Sequence, residues 1–206
     1  MSRLITLLIC SMIVSSCSWV SRDYYYQNEN ASNDWATQYI SGKNSDKSGI
    51  HPALDLLTFE FNGSKLIMHI SYQDMMLFGP IIPFIPAPFT RDDNLMLEIN
   101  IQPNNTVKFN PFELSLIDLD TGRNFHPASI YPDISDDLIV RPKDQKKYFE
   151  INEEITLYVR FPIGVNKAKN IKINVGTLVV NDELITPSAV MLQKIKGDTH
   201  FNQFTL

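Results

Sequence analysis

Four stretches of this chain alternate apolar and polar residues with a period of two, and that spacing restricts the fold more than any other feature of the sequence. Leu95, Leu97, Ile99 and Ile101 are interleaved with Glu98 and Asn100. Ile155, Leu157, Val159 and Phe161 are interleaved with Thr156, Tyr158 and Arg160. Leu66, Met68, Ile70 and Tyr72 stand opposite Lys65, His69 and Ser71, and Phe112, Leu114 and Leu116 keep the same spacing. Successive side chains of a strand point to opposite sides of a sheet, so each stretch offers one face to a core and one to water. A helix would scatter the same residues around its circumference.

The punctuation between these stretches is that of hairpins. Asn62-Gly63-Ser64 separates Leu54–Phe61 from the run Lys65 to Tyr72, and Asn-Gly supplies the two positive-φ residues of a type I′ turn. Asp120-Thr121-Gly122 and Asn181-Asp182 read as further turns. Additional strands are expected at Arg123 to Ser129, Ile171 to Val180, Glu183 to Thr186 and Ala189 to Ile195. No segment carries a helical period. About seven to nine strands with frequent turns predict an all-β, antiparallel sandwich, and residues 50–206 suffice for one core.

The N-terminus is organised differently. Arg3, the apolar run Leu4 to Val14 and the small residues Ser15 and Ser16 have the three parts of an export signal. The run is too short to cross a bilayer as a helix, which takes about 20 residues. Val14-Ser15-Ser16-Cys17 resembles the bacterial lipobox, in which a cysteine after an aliphatic and two small residues is acylated and becomes the mature N-terminus. The resemblance implies a signal peptide over 1–16, lipidation of Cys17 and attachment to a lipid bilayer through its acyl chains. Ser18 stands where lipoproteins retained in the inner membrane typically carry Asp, which implies the outer membrane with the domain facing the periplasm.

This reading settles the cysteine arithmetic. Cys10 leaves with the leader and Cys17 carries lipid, so disulfides, thiol nucleophiles and thiolate metal sites are excluded from the mature monomer. With 18 Lys and Arg against 23 Asp and Glu, the chain has a net charge of −5, and loss of Arg3 makes the mature form one unit more acidic. An acidic chain without clustered cations lacks the field that gathers nucleic acid. No cofactor is expected.

Residues 17–49 are rich in Ser, Asn, Asp, Gln and Tyr and poor in aliphatics. A segment of this composition buries too little apolar area to offset its ordering entropy, so it reads as a flexible tether. Tyr24-Tyr25-Tyr26 and Trp35 leave two alternatives open, aromatics lying at the membrane interface or a first strand docked on the domain.

Met75 to Phe89 contains no charge and has four prolines within Pro80 to Pro88. Proline lacks an N–H and fixes φ near −65°, which forbids both a helix and a central strand. Ile81, Ile82, Phe84, Ile85 and Phe89 therefore either cover one open end of the sandwich or form an exposed apolar ridge that contacts a membrane or an envelope protein partner.

Catalytic and metal signatures are missing. His51, His69, His126 and His200 have no paired spacing. Asp118 to Gly122 lacks the later ligands of a calcium loop, and Asp133, Asp136 and Asp137 belong to a charged insertion that reads as a solvated loop. There is no Gly-x-Ser-x-Gly elbow and no phosphate-binding glycine loop. Glu98, Glu113, Glu153 and Glu154 could be paired only by the fold. The chain is read as a non-enzyme. Phe109 to Leu116, Asp118 to Gly122, Phe125-His126-Pro127 and the Ile155 to Pro162 strand resemble the immunoglobulin-like domains of bacterial lipoproteins. That implies an immunoglobulin-like sandwich acting as a binding or scaffolding module, with an accessory subunit of an envelope assembly complex as the alternative and a cell-wall hydrolase as a more distant one.

Overall fold

The computed structural model describes residues 18–29, 34–40, 43–45, 49–51, 54–78, 87–88, 94–132 and 148–203. The strands in chain order are β1 (Ser18–Asn28), β2 (Trp35–Ile40), β3 (Lys43–Ser45), β4 (Gly49–His51), β5 (Leu54–Phe61), β6 (Ser64–His69), β7 (Ser71–Phe78), β8 (Ala87–Pro88) and β9 (Asn94–Gln102). The second half adds β10 (Val107–Phe109), β11 (Ser115–Asp118), β12 (Asn124–Phe125), β13 (Ser129–Pro132), β14 (Phe149–Ile151), β15 (Ile155–Gly164), β16 (Asn170–Asn174), β17 (Leu178–Val180), β18 (Glu183–Ile185) and β19 (Val190–Gln203).

These strands build an all-β sandwich. A seven-stranded sheet has the order β12-β11-β16-β19-β1-β7-β8, and a six-stranded sheet has the order β13-β15-β9-β6-β5-β2. A four-stranded sheet, β14-β10-β17-β18, and a small β3-β4 pair accompany them, and every pairing among the described residues is antiparallel. The alternation seen in the sequence is the inward face of the six-stranded sheet. Leu95, Leu97, Ile99 and Ile101 of β9 are fully buried, and so are Leu66, Met68, Val159 and Phe161. Each such side chain contributes about 1.5–3 kcal/mol by leaving water. Leu116, Ile171, Ile173, Val190 and Leu192 answer them from the seven-stranded sheet within one continuous core.

The expected hairpins form where turn chemistry dictated them. Asn62 and Gly63 have φ of 47° and 77°, and Asn181 and Asp182 have φ of 51° and 63°, the paired left-handed residues of a type I′ turn. The strands are shorter and more numerous than the pattern predicts, for local reasons. Pro111–Glu113 is a 3-10 turn, because Pro111 presets φ and the Asn110 side chain accepts from Phe112 N at 3.2 Å, so the strand anticipated from Phe112 begins only at Ser115. The expected strand from Ile171 to Val180 is split at Gly176, whose φ is 85° and where a Cβ would lie 2.9 Å from Glu113 Cβ. That break lets the chain leave the seven-stranded sheet and enter the four-stranded one.

The larger correction concerns the N-terminal segment. Residues read as a tether instead contain β1, which lies between β19 and β7 in the interior of its sheet, and β2, which closes the edge of the six-stranded sheet against β5. Aromatic side chains supply the burial that aliphatics would normally provide. Tyr26 is 1% exposed and Trp35 is 4% exposed. The Tyr26 hydroxyl donates to Ala168 O, Trp35 Nε1 donates to Ser188 O at 2.9 Å, and the Trp35 ring packs on Phe59 with centroids 5.4 Å apart.

Candidate functional site

The inward face of β19 changes character along its length. Val190 and Leu192 enter the core, and the same parity then continues into Lys194 and Lys196. Tyr26 and Tyr24 of β1 pair with these two lysines in register. The β15–β16 connection folds over this end of the sheet. Its turn is set by the backbone bonds Lys167 N to Gly164 O at 2.9 Å and Ala168 N to Gly164 O at 3.2 Å. Lys194 N then donates to Lys169 O at 2.8 Å, stitching β19 to the end of that connection.

The result is a concavity of about 340 Å³ lined by Tyr24, Asn166, Lys169, Asn170, Gln193, Lys194 and Lys196. Lys194 is the best fixed of its cations. Its ammonium donates to Val165 O at 3.2 Å and lies 4.5 Å from the centre of the Tyr24 ring, a cation–π arrangement that holds the charge in place. A second hollow of about 430 Å³ shares Asn166 and Lys169 and adds Asp118, Asp120, Thr121, Arg123, Phe125, Ile163 and Lys167.

The two aspartates of that second hollow are used by the β11–β12 turn. Asp118 accepts from Asp120 N at 3.1 Å and from the Thr121 hydroxyl, and Gly122 N closes on Asp118 O at 2.7 Å. Asp120 accepts from Asn170 Nδ2 at 2.8 Å. This is the hairpin turn that the Asp118 to Gly122 sequence suggested. Among the described residues, no group of three or more His, Cys, Asp or Glu side chains is placed to hold a metal ion.

On the outer face of the six-stranded sheet, β6 and β9 bring His69 and Glu98 together, with Nε2 and Oε2 3.4 Å apart. Burial favours the neutral imidazole and holds the His69 pKa below its ordinary value, while the Glu98 charge acts in the opposite direction. The face expected to be wet is thus partly closed at this point, with the His69 side chain 15% exposed. Further along β9, Asn100 Nδ2 donates to Glu154 Oε1 at 3.0 Å and to Thr156 Oγ1 at 3.1 Å, while the buried Asn100 Oδ1 has no protein partner. Glu113 is engaged by Asn110 Nδ2 at 3.2 Å.

The sequence-predicted site residues fall elsewhere. Cys17, Ile81, Ile82, Phe84, Ile85 and Phe89 lie outside the described residues, as do Asp133, Asp136 and Asp137. What the structure places is the backbone on either side. Ser18 pairs with both Phe78 and Gln203, and Ala87 and Pro88 pair with Leu77 and Met76 at the edge of the same sheet. Proline at an edge position is what the missing N–H demands.

The lysine-lined concavity was not among the predicted sites. Its one sequence signal is the replacement of apolar residues by Lys194 and Lys196 on the inward parity of a strand that starts with Val190 and Leu192. The remaining lining comes from a connection that only the fold brings near. No protein-family model matches the chain, and no curated protein and no solved structure matches it. Among the described residues, no helix is long and apolar enough to cross a membrane.

Proposed function

We propose that this chain is a lipid-anchored lipoprotein of the bacterial envelope, whose immunoglobulin-like sandwich works as a non-catalytic binding or scaffolding module at the membrane surface. The observation that carries the reading is the start of β1 at Ser18, one residue after the lipobox cysteine, within the interior of the seven-stranded sheet. An acylated Cys17 would join the anchor to the sheet through a single peptide bond. The acyl chains would then hold the domain against the headgroups, with no slack to lift it away.

The same end of the sheet is apolar in sequence. Register places Trp19 beside Leu77, and Val20 beside Met76 and Phe201, while the uncharged stretch Met75 to Phe89 continues from Phe78 and returns to pair at Ala87 and Pro88. This brings Ser18, the residue after the proposed anchor, to Phe78 on the strand that also pairs with Ala87 and Pro88. Acyl chains contribute about 0.8 kcal/mol per buried CH₂, and two or more of them anchor stably. An apolar protein segment at the same level would add to that attachment. Ser18 after the cysteine favours the outer membrane and a periplasm-facing domain.

Mass spectrometry of protein extracted from membranes tests the anchor. The expected result is an N-terminal Cys17 carrying acyl chains and loss of membrane association in Cys17→Ser; an unmodified thiol or a retained leader overturns it. Photo-crosslinkers at Ile82 and Phe84 test the contact surface. Adducts with lipid or with a defined envelope protein support it, and the absence of any adduct removes that part of the proposal.

A further inference from the structure

We propose that the concavity between β1, β19 and the β15–β16 connection binds a small ligand carrying a phosphate monoester or diphosphate group. Among the described residues that line it, three are lysines, Lys169, Lys194 and Lys196, and none carries a carboxylate. In a chain with a net charge of −5, three converging cations are a local reversal of the prevailing sign, and they cost self-repulsion that an anion relieves.

The placement of Lys194, half-buried between the exposed Lys169 and Lys196, sets it apart from an ordinary solvated lysine. Lys194 and Lys196 continue the inward parity of Val190 and Leu192 on an interior strand, where alternation calls for apolar residues. Lys194 is held by Val165 O and by the Tyr24 ring, and its own backbone is bonded to that of Lys169. The Lys194 ammonium is therefore fixed before any ligand arrives, next to the point where the Lys169 side chain leaves the backbone, and such preorganisation lowers the cost of binding.

The rest of the lining suits the same chemistry. Asn166, Asn170 and Gln193 bring carboxamide groups, which can donate to phosphoryl oxygens or to hydroxyls next to them. The acids that line the neighbouring hollow, Asp118 and Asp120, are engaged there by the turn and by Asn170. A volume of about 340 Å³ matches a small molecule. Lysine binds phosphate as a point charge, and several together favour a group carrying two or more charges over a single carboxylate.

The phosphate group could belong to a free metabolite or to a lipid headgroup, and two probes separate these sources. Detergent-solubilised full chain is titrated with inorganic pyrophosphate and with dihexanoyl phosphatidic acid, using dihexanoyl phosphatidylcholine and matched sodium chloride as controls. Binding is read from the melting temperature and from the side-chain amide NMR signals of Asn166, Asn170 and Gln193.

Saturable binding of pyrophosphate as tight as that of phosphatidic acid assigns the site to free phosphorylated ligands. A preference of tenfold or more for phosphatidic acid assigns it to headgroups. Lys169→Met and Lys196→Met, both at exposed positions, are each expected to weaken binding by about tenfold without moving the melting temperature of the free protein. Lys194→Met is expected to weaken it further. The proposal is overturned if neither probe saturates, or if binding survives unchanged in the Lys169→Met, Lys196→Met double variant. Neither outcome depends on whether Cys17 is acylated.

Discussion

The Tyr26 hydroxyl donates to the carbonyl of Ala168, across 142 residues of sequence and in a fully buried setting. The bond fixes the β15–β16 connection to the first strand, and that connection carries Asn166 and Lys169 into the lysine-lined concavity. Burial also pushes the Tyr26 phenol well above its ordinary pKa, so it stays a proton donor at any pH the protein would meet.

Replacing Tyr26 with Phe keeps the ring and removes the donor. Ala168 O is then left buried without its partner, which costs about 1–3 kcal/mol. Urea unfolding should show the midpoint falling with an unchanged slope. Any ligand response at Lys169 should weaken with it, because the connection loses one of the bonds that hold it.

Deleting residues 18–28 should abolish cooperative folding. β1 bonds to β19 on one side and β7 on the other, so its loss opens an interior slot and leaves two sets of backbone groups unpaired. A chain beginning at residue 34 would give a near-native amide spectrum only if the segment were a tether.

Gly176→Ala should destabilise the fold by about 1–3 kcal/mol through backbone strain. Its φ of 85° disfavours any side chain, and a Cβ there would press on Glu113 Cβ at 2.9 Å. Gly122→Ala is the control. It has a similar φ of 70° but open space around it, so it carries the conformational cost without the collision. Thermal melts should rank Gly176→Ala below Gly122→Ala.

His69 should make stability fall in mild acid. Its folded pKa lies below the ordinary 6.5 because burial disfavours the charged ring. The unfolded chain therefore binds more protons at pH values between the folded and unfolded pKa, and stability drops as pH decreases through about 6.5 and on through the folded value. His69→Gln should flatten this part of the profile, measured as unfolding midpoints between pH 8 and pH 5. Equal slopes in the two proteins would show that His69 does not contribute.

The sequence displayed the six-stranded sheet well, because its inward face is made of aliphatic residues at strict spacing and its first hairpin uses Asn62 and Gly63. It left the first strand open, as one of three readings of residues 17–49. The strand contains Tyr24, Tyr25 and Tyr26 but few aliphatics, and its stability comes from backbone pairing with residues such as Ile195 and Tyr72, distant in sequence. It concealed the concavity, since Lys169 and Lys194 meet only when the β15–β16 connection folds across β19. Lys196 on an inward parity was the one local clue. Only the strand register shows that this exposed lysine stands beside the half-buried Lys194 and the ring of Tyr24.

The pairing of β1 with β19 sets an order of events. The first of the described strands has to wait for the last, so the central sheet cannot be completed until nearly the whole polypeptide is available. A prematurely terminated or stalled product would keep β1 exposed along one edge. Such a product would be open to proteolysis and to pairing with other chains, and an intact C-terminal strand becomes the checkpoint for a finished molecule.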